Sequence, residues 1–244
     1  MFTGADFIVA DAQPTILWSR FCDDHDSLIE LYGINDWNKL THEPRVARVT
    51  YAPVTHELDD IMNPDGWVLR VTTSPEWFDA EKLEPAMRAE LRKWHTAKVI
   101  GEGTRIVGIG EYYVFGTANV TACDTASLRA YHTSQITGKT KGALYGYDQA
   151  RVETIGCVYV ALNDNAHGVV KNTTSVKVYN EATCRAERMC TVKHESQGLL
   201  ELGHYSVGHM EAGHVALDHA IAILKKPSVI VDSADPSSLV LKLF

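Results

Sequence analysis

The run GHYSVGHMEAGHVALDH sets His204, His209, His214 and His219 at a regular five-residue spacing. Imidazole is the commonest metal ligand, so the run invites a metal reading. The spacing argues against it, because such a step alternates faces on a strand and turns by about 140° around a helix. Neither HExxH nor a Cys/His zinc pattern accompanies the run. We expect no metal and no cofactor, only exposed histidines. A second cluster, CDDHDSLIE, offers Asp23, Asp24, His25 and Asp26. It could hold a cation or exchange protons. Consecutive side chains point in different directions, however, and the stretch reads as a solvated helix start. The third candidate is aromatic. Tyr131, Tyr147 and Tyr179 fall on a sixteen-position interval, with Asn163 in the vacant slot. An aromatic row on a rigid support can bind a partner, since tyrosine is enriched in interfaces. The same row could instead be cross-strand stacking that stabilises a sheet. No GxSxG, P-loop or dinucleotide-binding glycine pattern is present. The glycines of GEGTRIVGIG (101–110) lack a strand–turn–helix context.

What could position a tyrosine at every sixteenth place? Written in octads from Thr117, the chain reads TANVTACD, TASLRAYH, TSQITGKT, KGALYGYD, QARVETIG, CVYVALND, NAHGVVKN, TTSVKVYN, EATCRAER, MCTVKHES, QGLLELGH. Position two is mostly small (Ala118, Ala126, Ser134, Gly142, Ala150), with Val158 and Thr174 in later octads. Position four is mainly branched or long aliphatic (Val120, Leu128, Ile136, Leu144, Val152). Position six is small or apolar until His194 breaks it. This is the period-two alternation of a strand, with positions two, four and six inside, interrupted once per octad by a corner. One place after each tyrosine slot stand His132, Asp148, Asp164 and Asn180, on the same interval. One coil is therefore two octads long, with an octad on each side. Equivalent side chains stack in ladders about 4.8 Å apart. The expected fold is mainly β: a two-sheet parallel β-solenoid over residues 99–220, of roughly seven coils and about 35 Å long.

Composition divides the chain near residue 99. All five tryptophans (Trp18, Trp37, Trp67, Trp77, Trp94) and six of the eight prolines precede it, and no proline occurs between residues 86 and 226. Proline cannot donate to a β-ladder, so its absence implies that backbone N–H groups are in use. Residues 1–98 read as a small α/β capping domain. RVARVTYAPV (45–54) and GWVLRVTTS (66–74) are strands joined by the turn NPDG. Ser74 is expected to cap a helix with Pro75 at its first position, and Pro85 to restart a second helix. In that second helix Met87, Leu91 and Trp94 form a core-facing stripe. Residues 221–244, where proline returns, are expected to form a cap or tail.

The net charge of −8 falls almost entirely on residues 1–98, and no basic patch invites nucleic acid. No apolar run reaches the roughly 18 residues needed to span a membrane. Five cysteines without a CxxC pair read as reduced thiols in a cytoplasmic protein.

The pieces LRAYHTSQITG, LYGYDQARVET and VKVYNEATCRA resemble octapeptide-repeat segments of bacterial and phage proteins. The two-octad coil is similar to that of bacterial ice-nucleation proteins, whose Thr-x-Thr ladders this chain lacks. RVARVTYAPV…GWVLRVTTSPEWF is similar to a small phage-borne domain of unknown function that precedes repeats. These resemblances imply a solenoid and a phage or bacterial accessory role. The leading functional expectation is a non-enzymatic rod that binds a protein partner or itself, with Tyr131, Tyr147 and Tyr179 as the binding row. One alternative is an inhibitor of a host nucleic-acid enzyme acting through the acidic first domain. Another is an enzyme with its site in residues 1–98. Polysaccharide-cleaving β-helices have longer coils and acyltransferase solenoids a hexapeptide beat, and neither matches an octad.

Overall fold

A computed structural model describes residues 4–10 and 15–244. The chain divides into two compact units, Met1–Val99 and Ile100–Phe244.

The first unit is mixed. Strands β1 (Ala5–Ala10), β2 (Thr15–Leu17), β5 (Val46–Ala52) and β6 (Val68–Thr73) form an antiparallel sheet in the order β2-β1-β5-β6. A short ribbon, β3 (Trp37–Asn38) with β4 (Glu43–Pro44), lies between them in sequence. Helices α1 (His25–Leu31), α2 (Leu58–Met62) and α3 (Ala80–Lys98) complete the unit. The expected core stripe is present: Met87, Leu91 and Trp94 are fully buried. The expected helix start is not. The cap of α3 is Asp79, which accepts from Lys82 N at 3.1 Å, and residues 75–78 form a turn before it. Pro85 lies inside this single helix instead of starting a second one. It sits in the second turn, where only the Glu81 carbonyl loses its donor.

The second unit is a parallel β-solenoid of about nine coils, with a nine-stranded and a ten-stranded sheet, here sheets I and II. The two-octad beat sets the register. In sheet I, Val120, Ile136, Val152, Gly168, Cys184 and Leu200 stand in one row. In sheet II, Leu128, Leu144, Val160, Val176, Val192 and Gly208 do the same. The core between the sheets is narrow, and glycine meets leucine across it. A Cβ on Gly168 would stand 2.4 Å from Leu162 Cδ1, and one on Gly208 would stand 2.5 Å from Leu202 Cδ1. Two octads depart from expectation: Val158 and Thr174 face solvent, and Cys157 and Thr173 fill the interior.

The corners explain the polar beat. Gly116, His132, Asp148, Asp164 and Asn180 mark one corner in five successive coils, and all have φ between 55° and 58°. Short polar side chains and glycine tolerate this left-handed conformation best. The side chains also tie successive coils together. His132 N donates to Asp148 Oδ2 at 2.9 Å, and Asn180 Nδ2 donates to Asp164 Oδ1 at 3.1 Å. Two corners use a hydroxyl instead, Ser196 in the coil after Asn180 on the same edge and Thr140 on the opposite edge. Thr140 Oγ1 and Ser196 Oγ donate to the Ala126 and Ala182 carbonyls at 2.8 and 2.7 Å, and accept from Gly142 N and Gly198 N.

The C-terminal cap expected over residues 221–244 is replaced by further coils. Strands Ile221–Leu224, Ile230–Ala234 and Leu239–Lys242 extend both sheets, and Pro227 and Pro236 sit in the connections. The beat does slip after Leu202. Leu200 pairs with Val215 and Val207 with Ile221, each short of a full interval, and Ile221 pairs with Leu239, beyond it.

Candidate binding surface

Five strands of sheet II build this surface: Glu111–Val114, Ser127–Ala130, Ala143–Gly146, Tyr159–Leu162 and Ser175–Val178. Alternation turns Leu128 and Ala130 inward and leaves Ser127 and Arg129 outside. Register then sets Arg129 between Tyr113 and Tyr145. Its guanidinium carbon lies 5.5 Å from the Tyr113 ring centre and 5.3 Å from that of Tyr145, a cation–π sandwich. Arg129 Nη1 also meets Glu111 Oε2 at 3.2 Å. Burial alone would lower the Arg129 pKa, but the Tyr113 phenol and the Glu111 carboxylate outweigh it and raise the pKa further above its ordinary value. The surface continues through Tyr159, whose ring centre is 5.7 Å from that of Tyr145, to Lys177, 5.7 Å above Tyr159.

The tyrosine row lies along the adjoining corner. Tyr131 stacks on Tyr147 with centroids 4.8 Å apart and planes 8° from parallel, and on Phe115 at 4.9 Å and 12°. Of the three tyrosines expected to bind, Tyr131 and Tyr147 are therefore brought together. Tyr131, at 6% exposure, is covered by its neighbours. Tyr147 and Tyr179 are half-buried, and Asn163 occupies the coil between them. Burial pushes the Tyr131 and Tyr147 phenols up, so at neutral pH both are uncharged rings, suited to contact and not to proton transfer.

Tyr113, Arg129, Tyr145 and Phe115 escape notice in the sequence, although the signal is there. Tyr113, Arg129 and Tyr145 keep the two-octad beat, as do Phe115, Tyr131 and Tyr147. An octad frame opened at Thr117 leaves out the coil that completes both rows.

The other candidates disperse. His204 and His219 occupy corners with φ of 50° and 52°. His209 points outward from sheet II, and His214 from sheet I, where its Nδ1 lies 3.0 Å from Asp232 Oδ1. His219 meets Asp218 Oδ1 at 2.7 Å and Asp235 Oδ1 at 3.8 Å, and these carboxylates raise its pKa. Among the described residues, Asp218, His219 and Asp235 thus form one exposed cluster at this corner, and His219 is the only one of the four histidines to gather two carboxylates. In the first unit, Asp24 caps α1, accepting from Ser27 N at 2.8 Å, which lowers its pKa. Asp23 is not solvated. It turns inward to the fully buried Lys98 ammonium and accepts from Trp94 Nε1 at 3.2 Å. His25 Nε2 lies 3.0 Å from the Val49 carbonyl and 3.8 Å from Asp6, whose pKa burial raises. Asp26 Oδ1 meets Arg48 Nη1 at 2.8 Å, so the four residues of the cluster serve four separate structural ends.

No protein-family model, curated protein or solved structure matches this chain. All five cysteines are free. Among the described residues, no helix is long and apolar enough to cross a membrane.

Proposed function

We propose that this chain is a non-enzymatic rod that binds another protein through the aromatic and cationic surface of its early coils. One observation supports this above others: Arg129 is held between Tyr113 and Tyr145, beside the stacked Tyr131 and Tyr147. Tyrosine and arginine carry a disproportionate share of interface energy. Here they are ordered in advance, so docking sacrifices little side-chain entropy. The accessible part of the surface comprises Tyr145, Tyr147, Tyr159 and Lys177, with Tyr179 two coils beyond Tyr147. The fitting partner is a protein segment with apolar or aromatic side chains flanked by carboxylates. The resemblance to octapeptide repeats of bacteria and phages favours an accessory role in a bacterial cytoplasm.

The test is affinity capture from host extract with the wild-type chain and the Tyr159→Ala/Lys177→Ala double variant, each confirmed folded by circular dichroism. Wild type is expected to retain a partner at near-stoichiometric yield, and the double variant to lose about 90% of it, as a deficit of about 1.4 kcal/mol or more implies. Equal capture by both, or substrate turnover by the full chain, overturns the proposal.

A further inference from the structure

One corner of the solenoid carries a polar groove that the aromatic surface does not use. Its walls are two rows of side chains, and each row takes one residue from each of three coils. Thr133, Gln149 and Asn165 stand in the turns that leave sheet II, and Gln135, Arg151 and His167 open the sheet I strands that follow. All six are exposed, and together they line a groove of about 510 Å³. Backbone bonds between coils set the steps. Gln149 N donates to the His132 carbonyl at 3.0 Å, Arg151 N to that of Ser134 at 2.9 Å, and His167 N to that of Ala150 at 2.9 Å. The groove therefore runs along the solenoid axis, with equivalent groups about 4.8 Å apart.

The corner residues one place earlier bond to each other, as His132 does with Asp148 and Asn180 with Asp164. Those of the groove do not. Among the described residues, the Gln135, Gln149 and Asn165 amides and the Arg151 guanidinium have no hydrogen-bond or ion-pair partner in the chain. His167 Nδ1 lies 2.6 Å from Thr183 Oγ1, which orients the ring and leaves Nε2 unpartnered. Carboxylates flank the groove, with Glu181 at the next step of the first row and Glu153 two places after Arg151, but none lines it.

This set of donors and acceptors selects its ligand. Each amide both donates and accepts, as hydroxyl groups require, and Arg151 offers a fork for one carboxylate. No phenyl, phenol or indole ring lines the groove to anchor a protein side chain or to stack a base. A single guanidinium between two flanking carboxylates is too little positive charge for a phosphate backbone. An extended sugar chain advances by about one coil spacing per residue, so its hydroxyls meet the two rows in step.

We infer that this groove binds a linear acidic oligosaccharide, laid along the solenoid axis with a carboxylate on Arg151 and ring hydroxyls on Gln135, Gln149 and Asn165. The groove opens on the sheet I side of the corner, whereas Tyr159 and Lys177 belong to sheet II, so it does not depend on the proposed protein partner.

Isothermal titration calorimetry of the full chain tests the inference with three probes: a galacturonate hexamer, the uncharged glucose hexamer cellohexaose, and polyglutamate. The galacturonate hexamer is expected to bind with a dissociation constant of about 10 μM to 1 mM, and each control about 10-fold more weakly or less. Arg151→Ala is expected to weaken galacturonate about 10-fold or more while changing cellohexaose little. Gln149→Ala/Asn165→Ala is expected to weaken both sugars by about 10-fold. All three side chains are exposed, so circular dichroism of these variants is expected to match wild type. The Tyr159→Ala/Lys177→Ala variant is expected to bind galacturonate as wild type does. Absence of galacturonate binding, equal binding of either control, or binding indifferent to the groove variants overturns the inference. Because partner capture reads Tyr159 and Lys177, failure here leaves that test standing.

Discussion

The first unit closes its core with few, large side chains, and the solenoid closes its core with many small ones. Trp67 meets Trp94 at 6.1 Å and His95 at 5.7 Å, both edge-on, and Phe7 meets Tyr51 edge-on at 6.2 Å. Each of these contacts occurs once. In the solenoid small residues stand opposite leucine repeatedly, as Gly138 does to Leu144, Gly168 to Leu162 and Gly208 to Leu202. The polar groups differ too. The first unit buries a charge, Lys98, together with its counter-ion Asp23. The solenoid buries His194, which has one partner, the Ala212 carbonyl at 3.2 Å, and an Nε2 atom without any. A core of unique contacts can be built around a charged pair, whereas a repeated core must keep every inward group neutral and small.

This comparison can be broken with two signals, because all five tryptophans lie before residue 99 and the strands after it dominate the far-ultraviolet spectrum. The largest effect is expected for Asp23→Ala. It leaves the Lys98 ammonium buried without its counter-ion, at a cost of about 3–5 kcal/mol. Urea denaturation followed by tryptophan fluorescence should show the loss, with the circular-dichroism transition of the solenoid unchanged. A loss below about 1 kcal/mol would mean the pair is not what the first unit is built around. Next is Gly142→Val. A Cβ there would lie 2.2 Å from the Ala126 carbonyl oxygen, which belongs to the backbone of the adjacent coil. About 3 kcal/mol of destabilisation is expected in the circular-dichroism transition, with the fluorescence transition in place. Coincident shifts of both signals would show that the units unfold as one.

The smallest effect concerns acid. Burial lowers the His194 pKa to about 4. Below the ordinary value of about 6.5 the unfolded chain takes up a proton that native His194 refuses, so solenoid stability is complete above that pH and declines toward pH ~4. The expected loss is about 2 kcal/mol by pH ~4.5. His194→Leu should flatten the curve between pH ~6.5 and ~4.5, and a variant that keeps the wild-type slope would assign the acid sensitivity elsewhere. His95 of the first unit is also held neutral by burial, so the fluorescence transition should weaken with the same sign.

Much of the solenoid is legible from residue types. Leu128, Ile136 and Leu144 all point inward, and His132, Asp148, Asp164 and Asn180 all mark corners, because strand alternation and left-handed φ each restrict which side chains fit. Legibility fails where a local signal has two solutions. Cys157 and Val158, or Thr173 and Thr174, could each have faced inward, and the corner backbone decides between them. Ser74 and Asp79 are both competent helix caps, and the turn at 75–78 selects Asp79. The two prolines after residue 226 suggest a cap, yet both fall in connections where no ladder N–H is needed.

By itself the sequence determined the coil: its length of two octads, its two sides, and which side chains lie within. Alternation and corner chemistry act between near neighbours and are written into every octad. Only the tertiary structure decided which coils become adjacent surfaces. Arg129 lies between Tyr113 and Tyr145 because side chains one coil apart in sequence become neighbours once the chain has closed a full turn. Leu239 and Leu241 come to lie over Ile221 and Ile223 because a coil of 14 residues is followed by one of 18, which returns that strand to the register of sheet II.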